Sequence, residues 1–173
     1  MKLSALHDLL PGTPPPAEHY YRLVAQEYVS QIDEIAQTVL HAWRYNPRGE
    51  FGVLYLSSSP ECAYREKLKQ VFGKKGHLKP QVVGRFSVNL PKCLHLTNPD
   101  CLATLAVTTE QLVDPSDFSV TQSIAREARR LGFEAILTPA AIGADCQSLV
   151  VFKDKLSPPA SCLCDTASIR AYP

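Results

Sequence analysis

Arg44, Tyr55 and Glu66 stand at equal intervals of eleven residues in the stretch WRYNPRGEFGVLYLSSSPECAYRE, residues 43–66. A guanidinium grips an anion in a planar fork. A phenol offers a flat wall with a polar tip, and a carboxylate stabilises positive charge or moves a proton. The span is too long for any one element, so the three residues are either unrelated or three walls of one site. Taken singly, Arg44 and Glu66 read as solvent-facing charges and Tyr55 as a half-buried strand residue. One local detail favours the joint reading. Ala63, one turn before Glu66, is small enough to let a ligand or backbone come close, and Glu66 falls on the helix face opposite Tyr64 and Leu68.

The elements that must position these residues follow from composition and period. RYNPRGEFG, with Pro and two Gly, is a loop, and residues 53–58 are a strand. Ser59 as N-cap, Pro60 at the first helical position and Glu61 beside the positive helix end predict a helix running to about Phe72. Tyr64, Leu68, Val71 and Phe72 are expected to face the core, and Gly73 ends the helix. Upstream, YYRLV (20–24) reads as a short strand or entry turn. Val29, Ile32, Ile35, Ala36, Val39 and Leu40 predict one amphipathic helix over 26–42. Downstream, strands are expected at 82–90 and 93–97 around a Pro91-Lys92 turn. An Asp- and Pro-rich loop then leads to a helix over 122–131, with Ile124, Ala128 and Leu131 on one face and Gly132 as its stop. Two short strands, 135–138 and 149–152, follow. Residues 1–16, ending in PGTPPP, are expected to be an N-terminal segment with a stiff linker, 17–156 the domain, and 157–173 a loop-like tail. Interleaved strands and helices without repeats make this a single mixed α/β (α+β) domain.

Composition narrows the function classes. At 173 residues the chain suits one domain, and Lys+Arg 18 against Asp+Glu 17 argues neither for a nucleic-acid binder nor for an acidic tail. No apolar run approaches the roughly 18 residues of a membrane span, and the start lacks a signal-peptide pattern. The expectation is a soluble cytoplasmic protein. The cysteines (62, 93, 101, 146, 162, 164) form no CxxC pair, so zinc is disfavoured and buried or half-buried free thiols are expected. The five scattered histidines suggest no metal ligands. GKKG at 73–76 lacks the spacing of a phosphate loop. Residues 65–85 hold seven Lys or Arg and one acid, Glu66, but no series of aromatics interleaved with them for base stacking, which makes this a solvated basic surface.

The pattern around YLSSSPECAYRE resembles the signature of RES-domain proteins, known as toxins of Xre–RES toxin–antitoxin pairs, whose fold is similar to that of ADP-ribosyltransferases. In that family an Arg in a loop with Asn-Pro-x-Gly precedes a strand carrying a Tyr and a helix carrying Ala-x-x-Glu. Here these are Arg44-Tyr45-Asn46-Pro47 with Gly49, then Leu54-Tyr55-Leu56, then Ala63 and Glu66. Tyr21-Arg22 resembles the start of the domain, and AREARRLGFEAILTPAA with SLVVF its closing elements, so the resemblance reaches from about residue 20 to 153. One hallmark departs. The Ser expected after Pro falls on Pro139-Ala140, the Arg two positions on is Ile142, and the Asn before the last strand is Ser148. Ala has no hydroxyl to donate or accept a hydrogen bond; Thr138 and Ser148 are the candidates to stand in.

The resemblance implies an ADP-ribosyltransferase-like fold with a central mixed or antiparallel sheet flanked by helices. It also implies an enzyme that cleaves NAD+ between nicotinamide and ribose, as a glycohydrolase or phosphorylase, depleting cellular NAD+ and arresting growth. Glu66, Tyr55 and Arg44 would be the catalytic set, with Arg22, Tyr21, Asn46 and Ser148 binding substrate and no metal. No cofactor is expected, since NAD+ is consumed, with inorganic phosphate an optional co-substrate. The implied partner is an Xre-type antitoxin protein; a homodimer is left open, and neither membrane nor direct nucleic-acid contact is expected. The alternatives are a lapsed RES-like binding module, which Ala140 favours, and transfer of ADP-ribose to a macromolecule docked on the basic stretch.

Overall fold

Residues 19–25 (HYYRLVA) are rich in β-branched and aromatic side chains and form β1 (His19–Ala25). The computed structural model describes residues 1–9 and 15–173, so most of the expected PGTPPP linker lies outside the described residues. After β1 come α1 (Ala36–Leu40), β2 (Leu54–Ser57) and α2 (Pro60–Gln70), followed by β3 (Gln81–Asn89) and β4 (Cys93–His95). Three helices, α3 (Pro99–Leu105), α4 (Thr109–Val113) and α5 (Ser119–Arg130), lead to β5 (Ala135–Pro139), β6 (Gln147–Val151) and β7 (Ser161–Tyr172).

The strands build a seven-stranded sheet among the described residues, in the order β4-β5-β6-β2-β1-β3-β7. β4 and β5 pair in parallel and the other neighbours are antiparallel. The fold is thus a single mixed α/β domain. Strand alternation sorts its apolar side chains between two faces. Val53, Ile136 and Val150 pack with Leu105, Leu112, Ile124 and Ala128 of α3, α4 and α5. Leu54, Leu56, Leu137, Leu149 and Val151 lie on the opposite face with Tyr20, Ile32 and Phe86. α2 joins the first face at the far half of the sheet, where Ala63 packs with Leu23 of β1 and Val83 of β3. Two helical packs therefore flank the middle strands on one face and leave a gap between them.

The predicted start of α2 is observed: the Ser59 side chain accepts from Cys62 N and Pro60 opens the helix. Its facing is not as predicted. The buried residues are Cys62 and Ala63, while Phe72 lies beyond the helix end and is 92% exposed. The helix expected over 26–42 breaks into a 3-10 segment, Gln26–Gln31, and the short α1. Tertiary bonds take the carbonyls that a continuous helix needs: Arg22 Nη1 donates to Ile32 O (2.9 Å) and Glu34 O (3.0 Å), and Lys153 Nζ to Asp33 O (2.8 Å).

The tail read as loop-like is β7, antiparallel to β3 along its length with a bulge between Val83 and Arg85. As an edge strand it buries little beyond Cys162, so its sequence carries almost no alternation signal. α3 and α4 fall in the stretch read as loop. Their cues are local: Asn98 caps α3, and Thr108 with Gln111 forms a capping box at α4. No helix among the described residues is long and apolar enough to cross a membrane.

Candidate active site

A cleft of about 450 Å³ occupies the gap between the two helical packs, a size suited to an extended small molecule. Its floor follows from sheet register. Thr138 of β5 pairs with Ser148 of β6, Ser148 with Ser57 of β2, and Ser57 with Tyr21 of β1. Directly opposed residues share a face, so these four form a row of hydroxyl-bearing side chains, and all four line the cleft. Tyr55, two residues before Ser57, lies in the next row beside Val150. β1 meets β2 at the single pair Tyr21↔Ser57, and Leu23, Gln37 and Thr38 line the opening where that ladder stops.

The three evenly spaced residues meet here: Arg44, Tyr55 and Glu66 all line the cleft. Arg44 sits on the 43–46 loop, which α5 pins: Thr121 Oγ1 donates to Arg44 O and Gln122 Nε2 to Trp43 O (2.9 Å). Arg44 Nη1 donates to Leu112 O (2.9 Å) and Asp114 O (2.6 Å) at the carbonyl end of α4, where the helix dipole favours a cation. Its guanidinium carbon lies 4.9 Å from the Phe118 ring centroid. The Tyr55 hydroxyl accepts from Tyr45 N (2.9 Å) and donates to Asn46 Oδ1 (3.0 Å). Burial pushes its pKa far above that of free phenol. Tyr55 is thus a protonated wall that also fixes the loop carrying Arg44.

Glu66 has no hydrogen-bond or ion-pair partner among the described residues, and it is the single carboxylate among the cleft-lining residues described. Burial raises its pKa, while Lys69, Arg44, Arg65 and Lys67 pull it back toward the ordinary value. An unpaired, half-buried carboxylate facing cations is poised to meet developing positive charge.

Tyr21 and Ser148 line the cleft through the hydroxyl row. Arg22 also lines it, with Nη1 committed to the Ile32 and Glu34 carbonyls. Asn46 is brought elsewhere. It is 0% exposed, and its amide donates to the Thr38 and His41 carbonyls, so it shapes the loop from beneath. Ala140 packs with Cys62, Cys146 and Ile142 and is not a cleft residue. Sequence reasoning missed Ser57, Lys67, Trp43 and Phe118. Ser57 ends a strand in the pattern that flagged Tyr55, and only the register joins it to Ser148 and Thr138. Lys67 falls within the basic stretch; burial and then Arg22 lower its pKa, with Glu66 opposing. Of that stretch, Arg65, Lys79 and Arg85 are ion-paired with Asp145, Glu27 and Asp165.

The cysteine expectation is corrected. Cys62 and Cys146 form a disulfide across 84 residues, while Cys93, Cys101, Cys162 and Cys164 are free. The bond ties the first turn of α2 to the segment before β6, beside Arg65, which donates to Asp145 Oδ2 (2.6 Å) and Ile142 O (2.6 Å). Partners so far apart in sequence come together only through the sheet. Closing so long a loop should stabilise the fold by about 4 kcal/mol, or roughly 8–16 °C in Tm. Cys146→Ser should lose that amount in thermal denaturation, reductant should bring the wild type down to the variant, and equal Tm values for all three would refute the clamp.

A relative from Mycobacterium tuberculosis, named a probable NAD(+) phosphorylase, is 36% identical over 111 residues, 63% of this chain. The chain spans about half of that relative's length, 52%. The fold is similar to that of a chain in the crystal structure of the M. tuberculosis MbcT–MbcA toxin–antitoxin complex, with a TM-score of 0.71 at 17% identity, over 99% of this chain and 88% of that one. The RES domain model matches residues 19–171, and on that match this chain belongs to the RES-domain family.

Proposed function

We propose that this protein consumes NAD+, breaking the bond between nicotinamide and its ribose and passing the ADP-ribosyl group to inorganic phosphate or water, as a toxin restrained by an antitoxin protein. The observation that carries this reading is Glu66, a carboxylate without a partner among the described residues, in a cleft whose lining also offers cations, hydroxyls and aromatic rings. As the C1–N bond breaks, its electron pair neutralises the pyridinium nitrogen and positive charge develops at C1. A fixed carboxylate at that carbon lowers the barrier. The acceptor oxygen then bonds to C1 and gives up its proton.

The rest of the cleft supports the same substrate. Arg44 offers the planar fork that suits a diphosphate, and Lys67 adds a second cation. The ring of Tyr55 suits a flat base, and Ser148, Ser57 and Tyr21 suit ribose hydroxyls, while the Thr138 hydroxyl is held by that of the buried Tyr45 (2.6 Å). The relative named a probable NAD(+) phosphorylase and the toxin–antitoxin structure support the reading from outside the cleft.

The test is incubation of the purified chain with NAD+ carrying a tagged adenosine, with and without inorganic phosphate, followed by product analysis. Nicotinamide release with a soluble tagged ADP-ribose or its phosphate ester is expected, the ester requiring phosphate. Intact NAD+ refutes the reading, and tag on protein or nucleic acid would make the enzyme a macromolecular ADP-ribosyltransferase.

A further inference from the structure

Trp43 is the only tryptophan of the chain, and the residue is 43% exposed at the cleft wall. Its backbone is held firmly: Trp43 N donates to Asn46 O (3.0 Å), and Trp43 O accepts from Asn46 N (3.3 Å) and Gln122 Nε2 (2.9 Å). The ring meets His41 edge-on, with centroids 6.4 Å apart. A large aromatic on a pinned backbone, left partly in water at the edge of a cleft, is placed to stack on a flat ligand. Pro115 and Phe118 line the same cleft, and Phe118 carries the Arg44 guanidinium.

We propose that Trp43 is the specificity residue for the adenosine half of the substrate, its indole stacking on the adenine. This rests on the reading of the cleft as an NAD+ site. NAD+ is linear: nicotinamide, ribose, two phosphates, ribose, adenine. The reacting ribose belongs beside Glu66 and the diphosphate beside Arg44. The residue adjoining Arg44 on the same pinned loop is Trp43, more exposed than either, where the second base emerges. An uncharged purine on an indole is a stacking contact worth roughly tenfold to a hundredfold in affinity.

A single tryptophan makes the wall its own reporter. AMP and ADP-ribose should quench the intrinsic emission of the wild-type protein saturably, and nicotinamide mononucleotide should not. Trp43→Ala should raise KM for NAD+ at least tenfold with kcat within about twofold, and should weaken inhibition by AMP but not by nicotinamide; Trp43→Phe should recover part of the loss. Quenching by the mononucleotide alone, or an unchanged KM in Trp43→Ala, overturns the assignment. NAD+ consumed with no response to AMP defeats this proposal alone. Quenching by AMP without NAD+ consumption keeps the adenosine site and removes the cleavage reading, and silence in both assays removes both.

Discussion

Glu66→Gln is expected to lower kcat for NAD+ cleavage by roughly 10³-fold or more while leaving a folded protein, because the amide keeps the shape of the carboxylate and loses the charge that meets the oxocarbenium-like centre. The same change should not cost stability at neutral pH. Burial raises the folded-state pKa of Glu66 above that of an exposed glutamate. Its stabilising contribution is therefore full below the unfolded pKa and is lost as pH rises through the folded one. At pH 7 the ionised group is a burden that Gln removes. Tm should be equal to or above that of the wild type at pH 7, and the difference should shrink or reverse in acid. The wild-type rate should fall with decreasing pH along an acid limb placed above the ordinary glutamate range, and this limb should vanish from the residual activity of Glu66→Gln. A variant that turned over at the wild-type rate, or lost Tm by several degrees at pH 7, would make Glu66 a structural residue.

The trade of stability for charge explains what could be read along the chain and what could not. The strand of Tyr55 and the cap of α2 rest on local chemistry, Ser59 and Pro60 for the helix and LYLS for the strand, and both stand where expected. The face of α2 does not. A core-facing helix shows its apolar stripe to the sheet, whereas α2 turns Ala63, Glu66 and Lys67 toward a cleft and leaves Phe72 in water. A helix that walls a site breaks the amphipathic rule at the positions where function sits. The hydroxyl row depends on register, which no single strand records. Ser57, Ser148 and Thr138 are ordinary strand ends until β5, β6 and β2 are laid side by side. That row also changes the meaning of Ala140. Its methyl packs against the Cys62–Cys146 disulfide, so a serine there would meet sulfur rather than substrate, and the hydroxyls come from the floor instead.

Arg44→Lys should be the second most damaging change, although charge is conserved. The guanidinium does two jobs at once: Nη1 closes the end of α4 through the Leu112 and Asp114 carbonyls, and the flat group lies on Phe118. Nε and Nη2 make no hydrogen bond among the described residues and are left to face an anion. A lysine ammonium is one point of charge without a plane. If it caps α4 it cannot reach the diphosphate, and if it reaches the diphosphate two carbonyls lose their donor. The expected loss is roughly a hundredfold in kcat/KM for NAD+. Stability should fall by about 2 kcal/mol from the lost charged hydrogen bond and the weakened ring contact. Nicotinamide riboside separates the two effects, since it carries the scissile bond and no phosphate. Its slow cleavage should change little in Arg44→Lys, so the preference for NAD+ over the riboside should collapse. Equal losses on both substrates would mean that Arg44 only holds the loop, and that the diphosphate lies on the Lys67 side of Glu66.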